Sequence, residues 1–390
     1  MKKTTVDFER LFGRIALVLI SIILALIVAD KVSIQFLRPK KFLLENQFSV
    51  RDIRRPQPYL MFKGAPFGKA WKIKYIKTGL GDRILNELGY PGEAPCMPKP
   101  ANEYRVIVLG GSSVFMGYPA LPRLIQYEFE KAGCPDVKVY NFAVVSSVSG
   151  MELARLVFEA VNYAPDLIIS YSGFNDIDQP FVADPRPGYP YNFFIYEENP
   201  ILESEIRDYP LAPLMAYSSN LARYFGHAYF LKKFIDLEEL RQSCDYGSPQ
   251  WRQAIVDTYV DNIVKSQKIA HAFGADFIAF LQPCLYFKTS ATPREQKHLD
   301  PKRMSHAVQS REMIVRGMQK AAASQSLHFV DLSGLFSGHN ETVFIDRVHI
   351  RYLYRPQVAK KIYHYLLRFL REENIDCHCL EPGISSPGEG

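Results

Sequence analysis

The sequence predicts an α/β protein: a parallel-sheet, three-layer α/β/α domain of flavodoxin-like type, preceded by one N-terminal transmembrane helix. Three observations carry this reading. Short apolar runs alternate with stretches of helical spacing, which is the signature of βαβ units and a parallel sheet. One apolar run, Ile15 to Ala29, is long and nearly uninterrupted, with Ser21 its only polar member. The composition is otherwise globular: 390 residues, 47% hydrophobic and 23% charged, which excludes wholesale disorder and a polytopic membrane protein.

Residues 1–37 read as a cytoplasmic tail and signal-anchor. Fifteen helical residues rise about 22 Å, short of the ~30 Å hydrocarbon core. Extending the run through Leu11–Gly13 and Val32–Leu37, with Arg14 and Lys31 snorkelling, makes a span feasible. A cleaved secretory signal is the other reading, with Ile27-Val28-Ala29 as its small-residue site. Both export the rest of the chain, and the favoured anchor reading places it at the cell inner membrane as a single-pass protein with its main domain on the periplasmic or extracytoplasmic side. Lys and Arg flank the span on both sides, so the positive-inside rule gives little contrast.

The net charge of +6 is unevenly distributed. Residues 31–77 hold twelve basic and two acidic side chains, whereas the chain from residue 78 onward is net −5. The basicity is a collar beside the apolar run, suited to anionic lipid headgroups or an acidic polymer, and nucleic acid is not an expected partner. Residues 38–102 form this basic juxtamembrane segment and a lead-in, in which Trp71 to Lys77 alternates with period two as a strand. Gly79 to Asn102 reads as a loop.

From 103 to 372 the pattern is α/β. Strands are expected at Tyr104–Leu109, Val137–Phe142, Asp166–Tyr171, Phe277–Leu281 and His328–Leu332. Helices are expected at Leu121–Ala132, Met151–Val161, Tyr259–Ala272, Ser310–Ser324 and Gln357–Arg371. An aperiodic, Pro- and Tyr-rich stretch, about 178–248, reads as a lid-like or partner-facing insertion. Its Pro185–Tyr196 portion is suited to stacking on sugar rings or lipid chains, or to packing on the body. Residues 373–390 form a C-terminal tail. The six cysteines are compatible with disulfides in an exported domain but too sparse for a framework. Cys377-His378-Cys379 has no second cluster to complete four ligands, so no metal is expected, and no cofactor.

Ligands in open parallel sheets sit at the carboxyl ends of the strands. Gly110-Gly111-Ser112-Ser113 follows the first strand, Asn141 to Ser146 closes the second, and Gly173-Phe174-Asn175-Asp176 follows the third. Asp346-Arg347-Val348-His349 precedes the last helix. The Gly-x-x-x-x-Gly-Lys and Gly-x-Gly-x-x-Gly phosphate loops are missing. A serine, an amide and an Asp-x-x-His converging on one rim are the parts of an acyl-transfer site: nucleophile, oxyanion donors, base and base-orienter.

With these four blocks in this order, the chain resembles the SGNH/GDSL hydrolase family over about residues 80–370, outside most of the insertion. The Asn86-to-Gly92 stretch before the first strand also looks like the family. The resemblance implies Ser112 as nucleophile, His349 as base and Asp346 as its orienter. It further implies an oxyanion site built by the Ser112 and Ser146 N–H groups and the Asn175 amide, with Gly173 counted among the oxyanion and substrate-binding residues. Each oxyanion donor is then worth about 3 kcal/mol in the transition state. Ser113 is the competing nucleophile, and Asp176 is expected to fix its loop. Gln282-Pro283 lies on the same rim. Two positions depart from the family pattern: Gly111 stands in place of its aspartate, and Ser146 in place of its second-block glycine, with Ala143 and Gly150 as rival alignments.

The expected function is a membrane-tethered serine esterase acting on acyl esters, O-acetyl groups of a cell-surface polysaccharide above all. The alternatives are a lysophospholipase or thioesterase, and a non-catalytic assembly or binding subunit that keeps the scaffold and recruits partner proteins through the 178–248 insertion.

Overall fold

The computed structural model describes residues 2–36, 54–68, 85–117, 119–191, 193 and 237–372. The predicted Trp71–Lys77 strand, most of the insertion and the Cys377–Cys379 tail lie outside the described residues. The chain divides into two units, Met1–Ser49 with Phe194–Leu237, and Val50–Phe193 with Glu238–Gly390.

In the first unit, helix α1 (Lys2–Phe36) contains Leu11–Ser33, a stretch long and apolar enough to cross a membrane and unburied by protein. Ser21, the polar residue in the run, donates its hydroxyl to the Leu17 carbonyl one turn back at 2.8 Å. Satisfied locally in this way, it does not disturb an otherwise apolar surface.

The second unit opens with a small antiparallel pair, β1 (Arg55–Gln57) and β2 (Met61–Lys63). The main sheet follows: β3 (Tyr104–Gly110), β4 (Val137–Asn141), β5 (Leu167–Ser172), β6 (Asp276–Leu281) and β7 (His328–Asp331). All four pairings are parallel, in the order β4-β3-β5-β6-β7. The chain thus starts in the second position, adds one strand outward and then crosses to build the other half, so a crevice opens between the carboxyl ends of β3 and β5.

Alternation along the strands fills both faces. Val106, Val108, Ile169 and Phe280 point to one side, against α3 (Leu121–Lys131) and α10 (Arg355–Glu372). Ile107, Leu109, Ile168 and Phe277 point to the other, against α4 (Ser149–Phe158), α7 (Pro249–Ala272) and α9 (Pro301–Gln325). Strands buried on both faces read as continuous apolar runs, the form they take in the sequence. Phe62 and Tyr90 from the lead-in segment join the second core.

Three boundaries differ from expectation. Helices α7 and α9 begin at Pro249 and Pro301 rather than at 259 and 310. Ser248 and Asp300 cap them, accepting the N–H of Trp251 at 2.9 Å and of Arg303 at 2.8 Å. Ser-Pro and Asp-Pro are helix-start signals that outweigh the weak apolar period of those first turns. Residues 178–182 belong to α5 (Phe174–Val182), not to the aperiodic insertion. Pro180 reads as a breaker, but Asp178 is clamped to Arg303 of α9 through both carboxylate oxygens, and the helix runs through it. A short helix, α6 (Leu237–Ser243), also stands inside the predicted insertion.

Near the C-terminus, residues 343–351 form a narrow hairpin. Phe344 bridges Ile350, the Ile345 N–H donates to the His349 carbonyl, and the Arg351 N–H donates to the Val343 carbonyl, both at 2.8 Å. Its base is held by the fully buried Glu295, at the end of α8 (Pro293–Gln296). That carboxylate accepts from the N–H groups of Val343 at 2.8 Å and Phe344 at 2.9 Å, and from the buried Lys288 ammonium at 2.6 Å. Burial pushes its pKa up, but the hydrogen bonds from Lys288, Phe344, Thr292 and Val343 win and hold it at about 2.

Replacing Glu295 by Ala is expected to destabilise the protein by about 3–5 kcal/mol, because Lys288 is left buried and unpaired. Denaturant unfolding at pH 7 measures it. Because the native pKa is depressed, the stabilisation is present above the ordinary carboxylate value and is lost as pH falls towards 2. The difference between wild type and E295A should therefore narrow in acid.

Candidate active site

The rim at the carboxyl ends of β3, β4 and β5 is where the predicted groups meet. β3 ends at Gly110, and α2 (Ser112–Phe115) starts at once, so Ser112 occupies a first helical position. Register brings Gly110 beside Tyr171 of β5. A Cβ at Gly110 would stand 2.7 Å from the Tyr171 carbonyl, and one at Gly111 would stand 2.5 Å from the Asn175 amide nitrogen. Gly111, which departs from the family pattern, thus lies directly against the Asn175 amide, which a side chain there would displace.

The hairpin tip brings the base. Asp346 accepts the backbone N–H of Val348 at 2.9 Å and of His349 at 2.8 Å through one oxygen. Its other oxygen lies 2.7 Å from His349 Nδ1. Three residues is the separation at which one carboxylate can cap its own turn and still reach the ring. Burial works to raise the Asp346 pKa, but hydrogen bonding and charge at His349 overcome it and hold the carboxyl at about 2. An ionised carboxylate only accepts, so Nδ1 carries the proton and Nε2 is left as an acceptor. Ser112 Oγ lies 2.8 Å from that Nε2. Ser113, the rival nucleophile, faces Gln282 instead, whose amide reaches its hydroxyl at 3.4 Å.

The loop after β4 supplies the opposite wall. Ser146 adopts φ 58°, the left-handed conformation that favours glycine, at the position counted from Asn141. Its carbonyl accepts from the Gln179 side chain at 2.9 Å, and its hydroxyl accepts from Arg54 at 2.5 Å. The serine side chain is thus turned towards Arg54. The next carbonyl, of Ser147, accepts one N–H of the Asn175 amide at 2.7 Å, leaving the second for a ligand. Among the described residues, no acceptor takes the backbone N–H of Ser112 or of Ser146. Ser146 is the one half-exposed residue between 141 and 149, and Asn175 the one between 167 and 180. Gly173, with φ 104°, makes the turn from β5 into α5; a Cβ there would meet Leu281 at 2.4 Å.

Behind this surface is a buried polar network that motif reading only touched. Asp176 accepts both the N–H and the hydroxyl of Ser149, at 2.8 and 2.6 Å. Glu152 accepts from Ser170, which adjoins Ser172 and then Tyr259. Burial first, then the Asp176 charge, pushes Glu152 up to about 8, and burial pushes Asp176 up to about 6. Glu152 carried no sequence signal, since a single Glu on a helix face is normally solvated. Arg155, wholly buried, donates to the Phe142 carbonyl at 3.1 Å and approaches the Ser147 hydroxyl at 3.3 Å.

The other histidines stand apart. His306 packs between Trp251 and Phe181, reaches the Ile177 carbonyl at 3.0 Å, and is pushed down to about 4 by burial. No group of three metal-ligating side chains occurs among the described residues. Cys134 is disulfide-bonded, whereas Cys96, Cys244 and Cys284 are free thiols.

No protein-family model matches the chain, and no curated protein does. Solved structures that match include an acetyl xylan esterase, at 12% identity and TM-score 0.40, covering 67% of this chain and 99% of that one. A lipase/acylhydrolase from Enterococcus faecalis matches at 16% identity and TM-score 0.38, covering 72% and 100%. An acetylxylan esterase from Geobacillus stearothermophilus, in a catalytic-mutant form, matches at 14% and TM-score 0.36, covering 70% and 95%.

Both buried carboxyls bind protons more tightly in the native state than when unfolded. The stability they contribute is full below the ordinary carboxylate range and is lost as pH rises through about 6 and about 8. Unfolding free energy is expected to decline between pH 5 and 8. Glu152→Gln, which mimics the protonated form, should flatten that decline when the two proteins are unfolded in parallel.

Proposed function

We propose that this chain is a serine ester hydrolase of SGNH type, tethered to a membrane by α1, and that it removes O-acetyl groups from a cell-surface polysaccharide. The observation that carries the enzymatic reading is the hydrogen-bonded line from Ser112 Oγ through His349 to Asp346, at 2.8 and 2.7 Å. It lies beside unused donors at Ser112, Ser146 and Asn175.

In this reading His349 Nε2 takes the Ser112 proton as Oγ forms a bond to the ester carbonyl carbon. Asp346 stabilises the imidazolium that results. The carbonyl oxygen becomes an oxyanion, which the N–H groups of Ser112 and Ser146 and the second Asn175 amide N–H are placed to receive. His349 returns the proton to the departing alkoxide. Water then attacks the acyl-serine with His349 again as base, and the acid leaves with Ser112 regenerated.

The sugar substrate is supported by Tyr191, from the Tyr- and Pro-rich stretch, whose ring lies 5.1 Å from the Arg54 guanidinium beside Ser146. An aromatic ring beside Arg54, the partner of the Ser146 hydroxyl, is of the kind that stacks on a sugar ring. Export is supported by the Cys134 disulfide, since such bonds persist in oxidising compartments. Tethering is supported by the apolar stretch Leu11–Ser33 and by the basic collar after it.

Ser112→Ala should abolish p-nitrophenyl acetate hydrolysis and labelling by a fluorophosphonate. D346N should lower kcat about 10⁴-fold with KM little changed, because the imidazole loses its tautomer and its counter-charge. Acetate release from an acetylated polysaccharide should exceed hydrolysis of long-chain acyl esters; the reverse preference would favour the lysophospholipase reading. Equal inactivity of wild type and S112A, with neither labelled, would leave the binding-subunit reading.

Alkaline carbonate extraction should leave the full-length protein in the membrane pellet. A soluble product whose N-terminus begins near residue 30 would identify α1 as a cleaved signal instead.

A further inference from the structure

Ser146 is an anomaly. It adopts a left-handed conformation that an L side chain takes at a cost of about 1 kcal/mol or more. Yet its N–H is one of the donors on which the proposed oxyanion site depends. A glycine would hold φ 58° without strain and without a side chain to place. A serine there needs its hydroxyl placed, because a rotamer that swings Oγ over the N–H would fill the space an oxyanion must enter.

The hydroxyl is placed by Arg54. This residue does not come from the sheet, its helices or any of the four motif blocks. It lies immediately before β1, in the lead-in, 92 positions from its partner. Its guanidinium donates to Ser146 Oγ at 2.5 Å and is itself held between two rings, Phe62 at 5.5 Å and Tyr191 at 5.1 Å. Phe62 is buried in the core, so one jaw of this clamp is rigid. A guanidinium stacked on ring faces is fixed in orientation as well as position.

We infer that Arg54 is a positioning residue for the reaction proposed above: it draws the Ser146 side chain out of the oxyanion position and holds the Ser146 N–H aimed into it. The inference rests on the esterase reading and adds a requirement to it. The lead-in before the catalytic sheet becomes part of the active machinery, and the serine-for-glycine departure is tolerated because Arg54 is present. The neighbouring contacts agree with this division of labour. Gln179 holds the Ser146 carbonyl and Asn175 the Ser147 carbonyl, so Arg54 accounts for the one remaining freedom, the side-chain rotamer.

The test is a double-mutant cycle with Arg54→Gln and Ser146→Gly in the full-length protein, read as kcat and KM on p-nitrophenyl acetate, with thermal unfolding as the check on folding. R54Q alone is expected to lower kcat about 10- to 100-fold, the loss that follows a misplacement of around 1 Å, with KM changed less than about threefold. In the S146G background, where no side chain needs placing, R54Q should lower kcat less than about threefold.

A residue that merely supports the fold, or that binds substrate directly, gives a different pattern. Its substitution would cost the same in both backgrounds, or raise KM, and either result overturns the inference. So does an R54Q protein with wild-type kcat. If wild type itself hydrolyses no ester and takes no fluorophosphonate label, the esterase reading fails and this inference falls with it. An active wild type with an indifferent R54Q sinks this inference alone.

Discussion

Everything at the rim depends on how closely the ends of β3 and β5 approach each other. Parallel pairing sets Gly110 against Tyr171, and the two chains then diverge into α2 and α5 with almost no space between their first residues. A single methyl at Gly110 would collide with the Tyr171 backbone carbonyl, and one at Gly111 would push the Asn175 amide aside. That contact puts the Ser112 hydroxyl and the Asn175 amide on one edge of the crevice where the strand order reverses, the place an open parallel sheet leaves accessible to a ligand. Losing the approach would separate the Ser112 hydroxyl from the Asn175 amide while leaving the rest of the core intact.

The other half of the site is held from further away, and electrostatics does the holding. Glu295 spends its whole accepting capacity on the hairpin base, on Thr292 and on Lys288. Asp346 spends its own on the hairpin tip. The Arg347 carbonyl accepts the Leu285 N–H at 2.8 Å, which ties the tip to the segment after β6. A loop with that many fixed backbone groups holds the His349 imidazole in one orientation, the preorganisation that the proposed reaction would use. The loop after β4 is treated the same way, with Gln179, Asn175, Arg155 and Arg54 each taking one of its oxygens. Side chains from α5, α4 and the lead-in before β1 thus converge on this one loop.

The buried carboxylates add a second consequence. Glu152 and Asp176 lie behind the wall that carries Asn175, and burial disfavours charge on both. Asp176, pushed up to about 6, ionises first, and its charge adds to burial in holding Glu152 protonated up to about 8, so between those values the pair carries a single negative charge. The same arrangement makes the stability of the unit dependent on pH between about 5 and 8.

Much of this was legible from the chain alone. The five strands, the two-sided burial of the sheet and the apolar N-terminal helix follow from apolar periodicity, which is local and survives without any knowledge of neighbours. Ser112, Asn175, Asp346 and His349 were legible because turn residues after strands and an Asp-x-x-His spacing are also local patterns. The start of α7 and α9 was legible too, in Ser248-Pro249 and Asp300-Pro301, but the weak apolar period beyond them masked the signal. What could not be read are contacts between residues far apart in sequence. Arg54 against Ser146, Glu295 beneath the hairpin, Asp178 clamped to Arg303 through a helix that contains Pro180, and Glu152 beside Asp176 all depend on which surfaces meet after folding. The sequence by itself determined which residue types stand at each strand end, because backbone propensity and burial act over a few neighbours. Tertiary contacts set what those residues meet: Gly111 lies against the Asn175 amide, and Ser146 carries its side chain in a left-handed conformation. In the first case an amide occupies the space, and in the second an arginine holds the hydroxyl aside.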